Sequence, residues 1–219
     1  MAKVYKVAKR ILDIVFSSLG IMILAPVFLV VSLIILISSG KPVFYKSQRV
    51  GKNKRGFISY KFRTLVLNAK ELQYSKGYRI NPPDERLIIP CGNFLRITHL
   101  DELPQLFNVL KGDISFIGPR SLEIDFYKRY IKKNKHWSRV LKAKPGLTGL
   151  NQVCRYHPQN MHRILKKCRN LGKMEVRRRI LLDLYYLKNE SLYLDSLIIY
   201  WTMRLLLTRF LESVALIVF

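Results

Sequence analysis

Two adjacent acids, Asp101 and Glu102, lie in the stretch "THLDELPQLFNVLKGD" and have the residue types and spacing best suited to chemistry. The pattern predicts that Asp101 caps a helix and that Glu102 lies in its first turn, where the helix dipole favours negative charge. The same position would keep Asp101 ionised and direct it towards a phosphate bound by backbone N–H groups. Such a carboxylate could attack phosphorus and form an acyl phosphate, while Glu102 holds a divalent cation.

A structural role explains the same two residues, because acids are common at the start of ordinary helices. Neighbouring side chains on a regular helix do not share a face, so a joint chemical role requires the open end of the helix. The residues themselves leave both interpretations open.

Four cations near the acidic pair are candidates for phosphate contacts. Lys61 and Arg63 lie in "YKFRTL", Arg96 precedes the pair and Arg120 follows it in "GPRS". Arginine makes forked contacts with phosphate oxygens, whereas lysine supplies a point charge. Any one of them could equally be a solvated surface cation.

The elements that must position these side chains can be read from the pattern of apolar residues. Leucines and a phenylalanine recur at helical spacing after the acids, at Leu103, Leu106, Phe107 and Leu110. Pro104 is tolerated in a first turn, and Gly112 is a typical C-terminal stop. We therefore predict one helix that starts at the acidic pair and ends near Lys111.

The segments around this helix predict an α+β fold that is mostly helical. We expect a β-hairpin formed by residues 43–45 and 57–62, with a basic turn at 51–56. "DISFIGPR" predicts a short strand and a turn, "KPGLTGLNQ" a glycine-rich loop, and "GYRINPPDERLIIPCG" another loop. Helices are predicted for residues 123–140 and for most of 161–189.

The N-terminal segment 11–40 is apolar and has no charge from Leu19 to Ile37. About 20 residues at 1.5 Å per residue would cross a hydrocarbon core, so a membrane helix is predicted. Pro26 predicts a kink at Ala25–Pro26. Both flanks are basic, which favours a bent helix that enters and leaves on the cytosolic face, although a kinked spanning helix fits the residues as well.

The C-terminal segment is apolar but is interrupted by Arg204, Arg209 and Glu212. This mixture predicts a helix lying at the lipid interface, with a helix that completes a soluble core as the alternative. The expected organisation is a membrane segment at 1–40, a catalytic domain at 41–190 and an interfacial helix at 191–219.

The composition limits the classes of partner. A formal net charge of +25 attracts anions such as nucleic acid, anionic lipid head groups or phosphorylated substrates. Nucleic acid is disfavoured, because no helix-turn-helix, zinc or stacking motif is evident and the uncharged segment has no place in such a protein. The three cysteines, Cys91, Cys154 and Cys168, predict reduced thiols, and their spacing with His157 and His162 matches no usual zinc finger.

The order of these motifs resembles the bacterial sugar transferases, also called monotopic phosphoglycosyl transferases. The resemblance covers nearly the whole chain, through "KRILDIVFSS", "QRVGKNKRGF", "YKFRT", "LRITHLDELPQLFNVLKGDISFIGPR", "KPGLTGLNQV" and "DLYYLKNESLYLD". The chain is similar to the minimal catalytic form of that family. The resemblance favours the re-entrant helix broken at Pro26 over the spanning one.

The resemblance implies that the protein is an enzyme of the bacterial inner membrane, with its catalytic domain on the cytosolic face. It would transfer a sugar phosphate from a UDP-sugar to undecaprenyl phosphate, release UMP, and initiate synthesis of a capsule, an exopolysaccharide or another surface glycan. Asp101 would be the nucleophile, and Glu102 would help to hold Mg²⁺. Candidates for phosphate or nucleotide contacts are Lys61, Arg63, Arg96, Arg120, Arg155 and Asp183. Anionic lipids are expected partners, and a homodimer is open.

Two other functions remain open on the sequence. One is a glycosyl transferase that moves only the sugar and releases UDP. The other is a basic membrane-binding protein without catalysis, in which Asp101 and Glu102 merely start a helix. The first differs in its product, and the second predicts that Asp101→Asn leaves every activity intact.

Overall fold

The computed structural model describes residues 2–65, 92–128, 135–156 and 175–218. Its helices are α1 (Ala2–Ile23), α2 (Ala25–Ser39), α3 (Gly92–Ile97), α4 (Gln105–Lys111), α5 (Ile124–Phe126), α6 (Lys135–Val140), α7 (Leu150–Tyr156), α8 (Glu175–Lys188) and α9 (Leu192–Val218). Its strands are β1 (Phe44–Val50), β2 (Gly56–Phe62), β3 (Ser115–Ile117), β4 (Leu122–Glu123) and β5 (Gly146–Thr148). This combination of many helices with small sheets confirms the mixed, mainly helical fold expected from the sequence.

The N-terminal apolar segment forms a bent helix pair. Helices α1 and α2 meet at Leu24 at an angle of 59°, and Pro26 lies in the first turn of α2. Proline has no N–H to donate and clashes with the preceding turn, so the helix breaks just before it, as predicted. Within the described ranges, none of the helices alone combines the length and the apolar composition that a membrane crossing requires. The bent pair meets these criteria only when its two halves are taken together.

Strands β1 and β2 form the predicted antiparallel hairpin, with Phe44 opposite Phe62 and Val50 opposite Gly56. The first strand is longer than predicted: it continues through the polar residues 46–49 to Val50, because β2 and β4 pair with this part of the strand. Strand β4 pairs with the other edge of β1, which gives the order β2-β1-β4. The hairpin turn contains a short 3₁₀ segment at Lys52–Lys54.

The glycine-rich loop predicted at "KPGLTGLNQ" is wrong in part, because Gly146–Thr148 is strand β5 and Leu150 begins α7. Strand β5 pairs in parallel with the predicted strand β3. A partner so distant in the chain supplies hydrogen bonds that local residue preferences do not reveal. A Cβ on Gly146 would lie 2.1 Å from the nitrogen of Gly118, so only glycine allows this close approach.

The remaining helix predictions agree in part. The predicted helix 123–140 is represented by the short helix α5 and by α6, and Leu122 and Glu123 belong to a strand. The predicted helix 161–189 is represented by α8. Gly92, the last residue of the predicted loop "GYRINPPDERLIIPCG", instead begins α3. Residues 66–91, 129–134 and 157–174, with Cys91, His157, His162 and Cys168, lie outside the described residues.

Three apolar clusters join these elements. Val31 and Ile35 of α2 pack with Phe62 of β2 and Leu95 of α3, which fixes the bent helix pair against the hairpin. A second cluster centres on Trp137 and joins α6 and α8 to β1 and β4. A third packs α7, α8 and α9 around Leu182 and Ile198. The residues of interest lie where α3, α4 and the hairpin meet.

Candidate active site

The acidic pair lies in a short 3₁₀ turn, Leu100–Glu102, between α3 and α4. His99 starts this turn in the left-handed conformation, with φ of 60°, and its carbonyl oxygen accepts a hydrogen bond from the Glu102 N–H at 3.0 Å. The hydroxyl of Thr98 donates to the carbonyl of Phe94 at 2.7 Å and closes the end of α3. The chain therefore turns sharply just before the two acids.

The predicted N-cap position of Asp101 is wrong. Helix α4 begins only at Gln105, with Pro104 at its N-cap position, so the acids precede the helix. Pro104 has no N–H to bond to the carbonyl of Leu100, so the 3₁₀ turn cannot continue as a regular helix into α4. The predicted end of the helix is confirmed, because Gly112 adopts φ of 94° and its N–H donates to Asn108 and Val109.

Glu102 is held by two cations. The ammonium of Lys61, on β2, donates to Oε1 of Glu102, and the guanidinium of Arg120 lies 3.8 Å from the same oxygen. Burial would raise the pKa of Glu102, but these positive charges outweigh it and lower the pKa to about 2. Glu102 is therefore ionised throughout the physiological range.

Asp101 shows the opposite shift. Burial raises the pKa of Asp101 to about 6, and the negative charge of Glu102 adds to the effect, while Lys61 and Arg96 oppose it. The carboxylate is thus more basic than an exposed aspartate and is still mostly ionised at neutral pH. One turn holds two acids with different proton affinities.

The structure brings together five of the residues predicted from the sequence. Asp101, Glu102, Lys61 and Arg120 form one cluster, and the charge of Arg96, in the last turn of α3, acts on Asp101. The hairpin precedes the acidic pair in the sequence and the "GPRS" turn follows it, and each of them supplies a cation. Only tertiary packing could establish this proximity.

Arg63 has a different position. Its side chain is buried, with 5% of the residue exposed, and its guanidinium donates to the backbone oxygens of Ser39, Gly40 and Lys41. The distances are 2.9, 2.7 and 3.4 Å. Arg63 therefore closes the C-terminal end of α2, where a cation is favoured by the helix dipole.

The other two candidates, Asp183 and Arg155, lie on α8 and α7. Asp183 is 1% exposed on α8, with Arg179 as its charge partner at 3.8 Å. Burial raises the pKa of Asp183 to about 7, and Arg179 opposes the effect. Arg155 lies in the last turn of α7 with an exposed side chain.

The sequence did not single out two residues that lie close to this site. The ring Nε2 of His99 lies 3.3 Å from the guanidinium of Arg209, which connects the acidic turn to α9. Arg49 of β1 contacts the carbonyl and hydroxyl oxygens of Ser121 at 3.5 and 3.4 Å, next to Arg120. A histidine two residues before the first acid was the only local signal for His99, and Arg49 was one of many basic residues.

The donors of this turn suit a magnesium ion. Mg²⁺ is bound by one or two carboxylates together with substrate phosphates and waters, rather than by a complete protein cage. Glu102 is ionised, and both of its described cation partners approach Oε1. Among the described residues there is no group of three or more acidic, histidine or cysteine side chains that could hold a metal ion.

Comparison with known proteins identifies the family. The model of the family described as bacterial sugar transferase matches residues 4–209. The chain is 35% identical over 214 residues to the undecaprenyl-phosphate galactose phosphotransferase of Salmonella typhimurium, covering 92% of this chain and 40% of that protein. It is 34% identical over 196 residues to the UDP-glucose:undecaprenyl-phosphate glucose-1-phosphate transferase of Klebsiella pneumoniae, covering 90% and 39%.

A shorter relative matches over most of its own length. The exopolysaccharide production protein ExoY of Rhizobium meliloti is 31% identical over 210 residues, which cover 89% of this chain and 83% of that protein. The chain spans less than half the length of the Salmonella and Klebsiella relatives. The extent of the family match and the similarity to ExoY lead to one conclusion: the chain belongs to the bacterial sugar transferase family.

Proposed function

We propose that this protein transfers a sugar 1-phosphate from a UDP-sugar to undecaprenyl phosphate and releases UMP. The reaction would initiate the assembly of a bacterial surface glycan. The names of the Salmonella and Klebsiella relatives support the general reaction. The observation that carries the proposal is the acidic turn, which combines a basic carboxylate on Asp101 with a charge-paired carboxylate on Glu102.

In the first step, a carboxylate oxygen of Asp101 attacks the phosphorus that carries the sugar. A bond forms between this oxygen and phosphorus, and the bond to the bridging oxygen of the diphosphate breaks. UMP leaves with that bridging oxygen, and the sugar phosphate remains on Asp101 as an acyl phosphate. The raised pKa of Asp101 supports this role, because a more basic carboxylate is a better nucleophile.

In the second step, a phosphate oxygen of the lipid attacks the same phosphorus. The bond between Asp101 and phosphorus breaks, which restores the carboxylate and gives the sugar diphospholipid. Both substrates present a phosphoryl group, so one set of cations serves them in turn. Lys61, Arg96 and Arg120 are the residues that we assign to this set.

Glu102 is the residue that we assign to a divalent cation. Mg²⁺, when bound, would neutralise negative charge on the diphosphate of the donor. The low pKa of Glu102 supports this assignment, because the carboxylate needs no deprotonation before it binds a cation.

The bent helix pair supports a site at the cytosolic surface of the inner membrane. Its apolar side chains are exposed, among them Ile37 at 85% and Ile23 at 72%. The excess of basic residues would attract anionic lipid head groups as well as both phosphorylated substrates. A catalytic turn close to the membrane would meet a lipid phosphate and a soluble UDP-sugar at the same surface.

Identifying the nucleotide product tests the proposal. Purified protein in nanodiscs is incubated with Mg²⁺, a short polyprenyl phosphate and a panel of UDP-sugars, and released UMP and UDP are quantified. We expect UMP from one donor, and a fall of at least about 10³-fold for Asp101→Asn, because an amide oxygen cannot form the acyl phosphate. The mutant should trap no radiolabelled sugar phosphate on the protein.

The control is Asp125→Asn, which changes an exposed aspartate on α5 and should leave the rate unchanged. Release of UDP in place of UMP would favour a glycosyl transferase. UMP release that survives Asp101→Asn would remove Asp101 as the nucleophile.

A further inference from the structure

We propose that Arg179 is a positioning residue that holds Arg120 in place for the phosphoryl group. This inference rests on the proposed function, which assigns Arg120 to the phosphate-binding set. Arg179 is on α8, and its side chain bonds to the backbone of Arg120.

The contact between the two arginines is direct. Nη2 of Arg179 donates a hydrogen bond of 2.6 Å to the carbonyl oxygen of Arg120. A charged donor at this distance makes one of the stronger hydrogen bonds in a protein. Because the acceptor is a backbone atom, the bond fixes the path of the chain at residue 120 and leaves the Arg120 side chain available.

Arg179 itself contacts two buried side chains. Its guanidinium lies 5.1 Å from the centre of the Trp137 ring, and its Nε lies 3.8 Å from Oδ2 of Asp183. Trp137 and Asp183 are each 1% exposed. Burial lowers the pKa of Arg179, but the charge of Asp183 opposes this shift. A buried aspartate and a ring on α6 thus flank the guanidinium that donates to Arg120.

The turn before Arg120 is fixed from the other side by strand β5. The N–H of Gly118 donates to Thr148 at 3.0 Å, and the N–H of Gly146 donates to Pro119 at 2.9 Å. These bonds hold residues 118 and 119, and Arg49 contacts Ser121. The bond from Arg179 holds the backbone of Arg120, which lies between these residues and whose side chain approaches Glu102.

The position of Arg120 is what this support would control. Its guanidinium lies 3.8 Å from Oε1 of Glu102, and 41% of its side chain is exposed. A displacement of about 1 Å in a group that contacts the reacting phosphate can lower a rate 100-fold. A backbone that is free to shift at residue 120 would therefore weaken phosphate binding without removing a charge from the site.

The test uses a double variant that leaves no unpaired buried charge. Arg179→Met alone would leave the buried Asp183 without its charge partner, so we combine it with Asp183→Asn. The matched control is Arg178→Met, which removes the neighbouring exposed arginine, whose described contact is one 3.5 Å hydrogen bond to Cys154. A thermal unfolding transition, measured in nanodiscs, confirms that each variant is folded before it is assayed.

The first measurement is a double-mutant cycle on UMP release, with the donor identified in the UDP-sugar panel. We expect Arg179→Met/Asp183→Asn to lower kcat/KM about tenfold or more in the wild-type background. In the Arg120→Ala background, the same pair should have little further effect, because the residue through which it acts is already absent. Equal losses in both backgrounds would overturn the inference.

The second measurement does not depend on turnover. Hydrogen exchange of a peptide spanning residues 118–123 should be faster in Arg179→Met/Asp183→Asn than in the wild type, and unchanged in Arg178→Met. Unchanged exchange in the double variant would overturn the positioning role. If the wild type releases no UMP from any donor, the proposed function fails, and the exchange result still decides whether Arg179 holds the turn.

Discussion

At the residue scale, neighbouring carboxylates acquire different properties from their surroundings. Glu102 faces Lys61 and Arg120, and its pKa is lowered to about 2, whereas burial raises the pKa of Asp101 to about 6. Two acids with separated pKa values commonly divide the work of an active site. The division here matches a nucleophile on Asp101 and a cation ligand on Glu102.

Arg63 gives a prediction that separates a structural role from phosphate binding. Arg63→Met removes a buried guanidinium that bonds to Ser39, Gly40 and Lys41, and we expect the free energy of unfolding to fall by about 3 kcal/mol. Arg55→Met, at an exposed position in the hairpin, is the control and should have little effect. Thermal unfolding measures both. A stable Arg63→Met protein with a raised KM for the donor would instead place Arg63 among the phosphate contacts.

Asp183 predicts a pH dependence of stability. Its pKa is about 7 in the folded protein, against a reference value of 3.8, so the folded state binds the proton more tightly. Its contribution is therefore fully present below about pH 4 and is lost as pH rises through 7. Relative to Asp183→Asn, the wild type should lose up to about 1.4 kcal/mol per pH unit across this interval.

Unfolding temperatures of wild type and Asp183→Asn between pH 5 and pH 8 would measure this trend. Asp125→Asn serves as the exposed control, and its difference from the wild type should not change with pH. A constant gap between wild type and Asp183→Asn would show that Asp183 stays ionised in the folded protein.

At the scale of elements, the acidic turn depends on how the helices around it are anchored. Pro104 separates the turn from α4, and α1 packs against α4. Gly20 allows this approach, because a Cβ there would lie 3.3 Å from Leu106. Asp13, which is 4% exposed, accepts hydrogen bonds from the hydroxyl of Ser115 and the N–H of Phe116, and so joins α1 to β3.

Arg10 provides the test at this scale. Its guanidinium donates to the carbonyls of Val109 and Leu110, both at 2.7 Å, in the last turn of α4. We expect Arg10→Met to lower the free energy of unfolding by about 2 kcal/mol and to speed hydrogen exchange in α4. Lys6→Met, on an exposed position of α1, should change neither quantity. Exchange in α4 that is unaffected by Arg10→Met would contradict this anchoring.

At the scale of the whole molecule, a largely buried polar network connects α1 to α8 and α9. Lys9 of α1 donates to Tyr186 at 2.6 Å and forms an ion pair with Asp195 at 2.7 Å. Tyr5 and Tyr186 both donate to Asp195. The bent helix pair is thereby fixed to α8 and α9, and α9 in turn reaches the acidic turn through Arg209 and through Phe210, whose ring packs against Phe94.

The re-entrant helix expected from the sequence gives a prediction about topology. In a chain without its native cysteines, Lys6→Cys and Lys46→Cys would flank the bent pair, and both should react with an impermeant maleimide from the cytosolic side. Leu29→Cys, between them, should be protected by lipid. Labelling of the two flanks from opposite sides would instead establish a spanning segment.

The sequence by itself determined the features that depend on local chemistry. Pro26 predicted the helix break, the basic turn at 51–56 and its flanking residues predicted the hairpin, and Gly112 predicted the end of α4. The motif "THLDELPQ" also identified the acidic pair and the family. These features follow from backbone restrictions and from short segments that act alone.

Tertiary structure decided what depends on residues distant in the chain. The pairing of β3 with β5, the arrival of Lys61 and Arg120 at Glu102, and the separation of the two pKa values all require packing. The same holds for the contacts of Arg63 with the end of α2 and of Asp183 with Arg179. A charged side chain acquires its role from the partners that folding brings to it, and a linear pattern does not contain them.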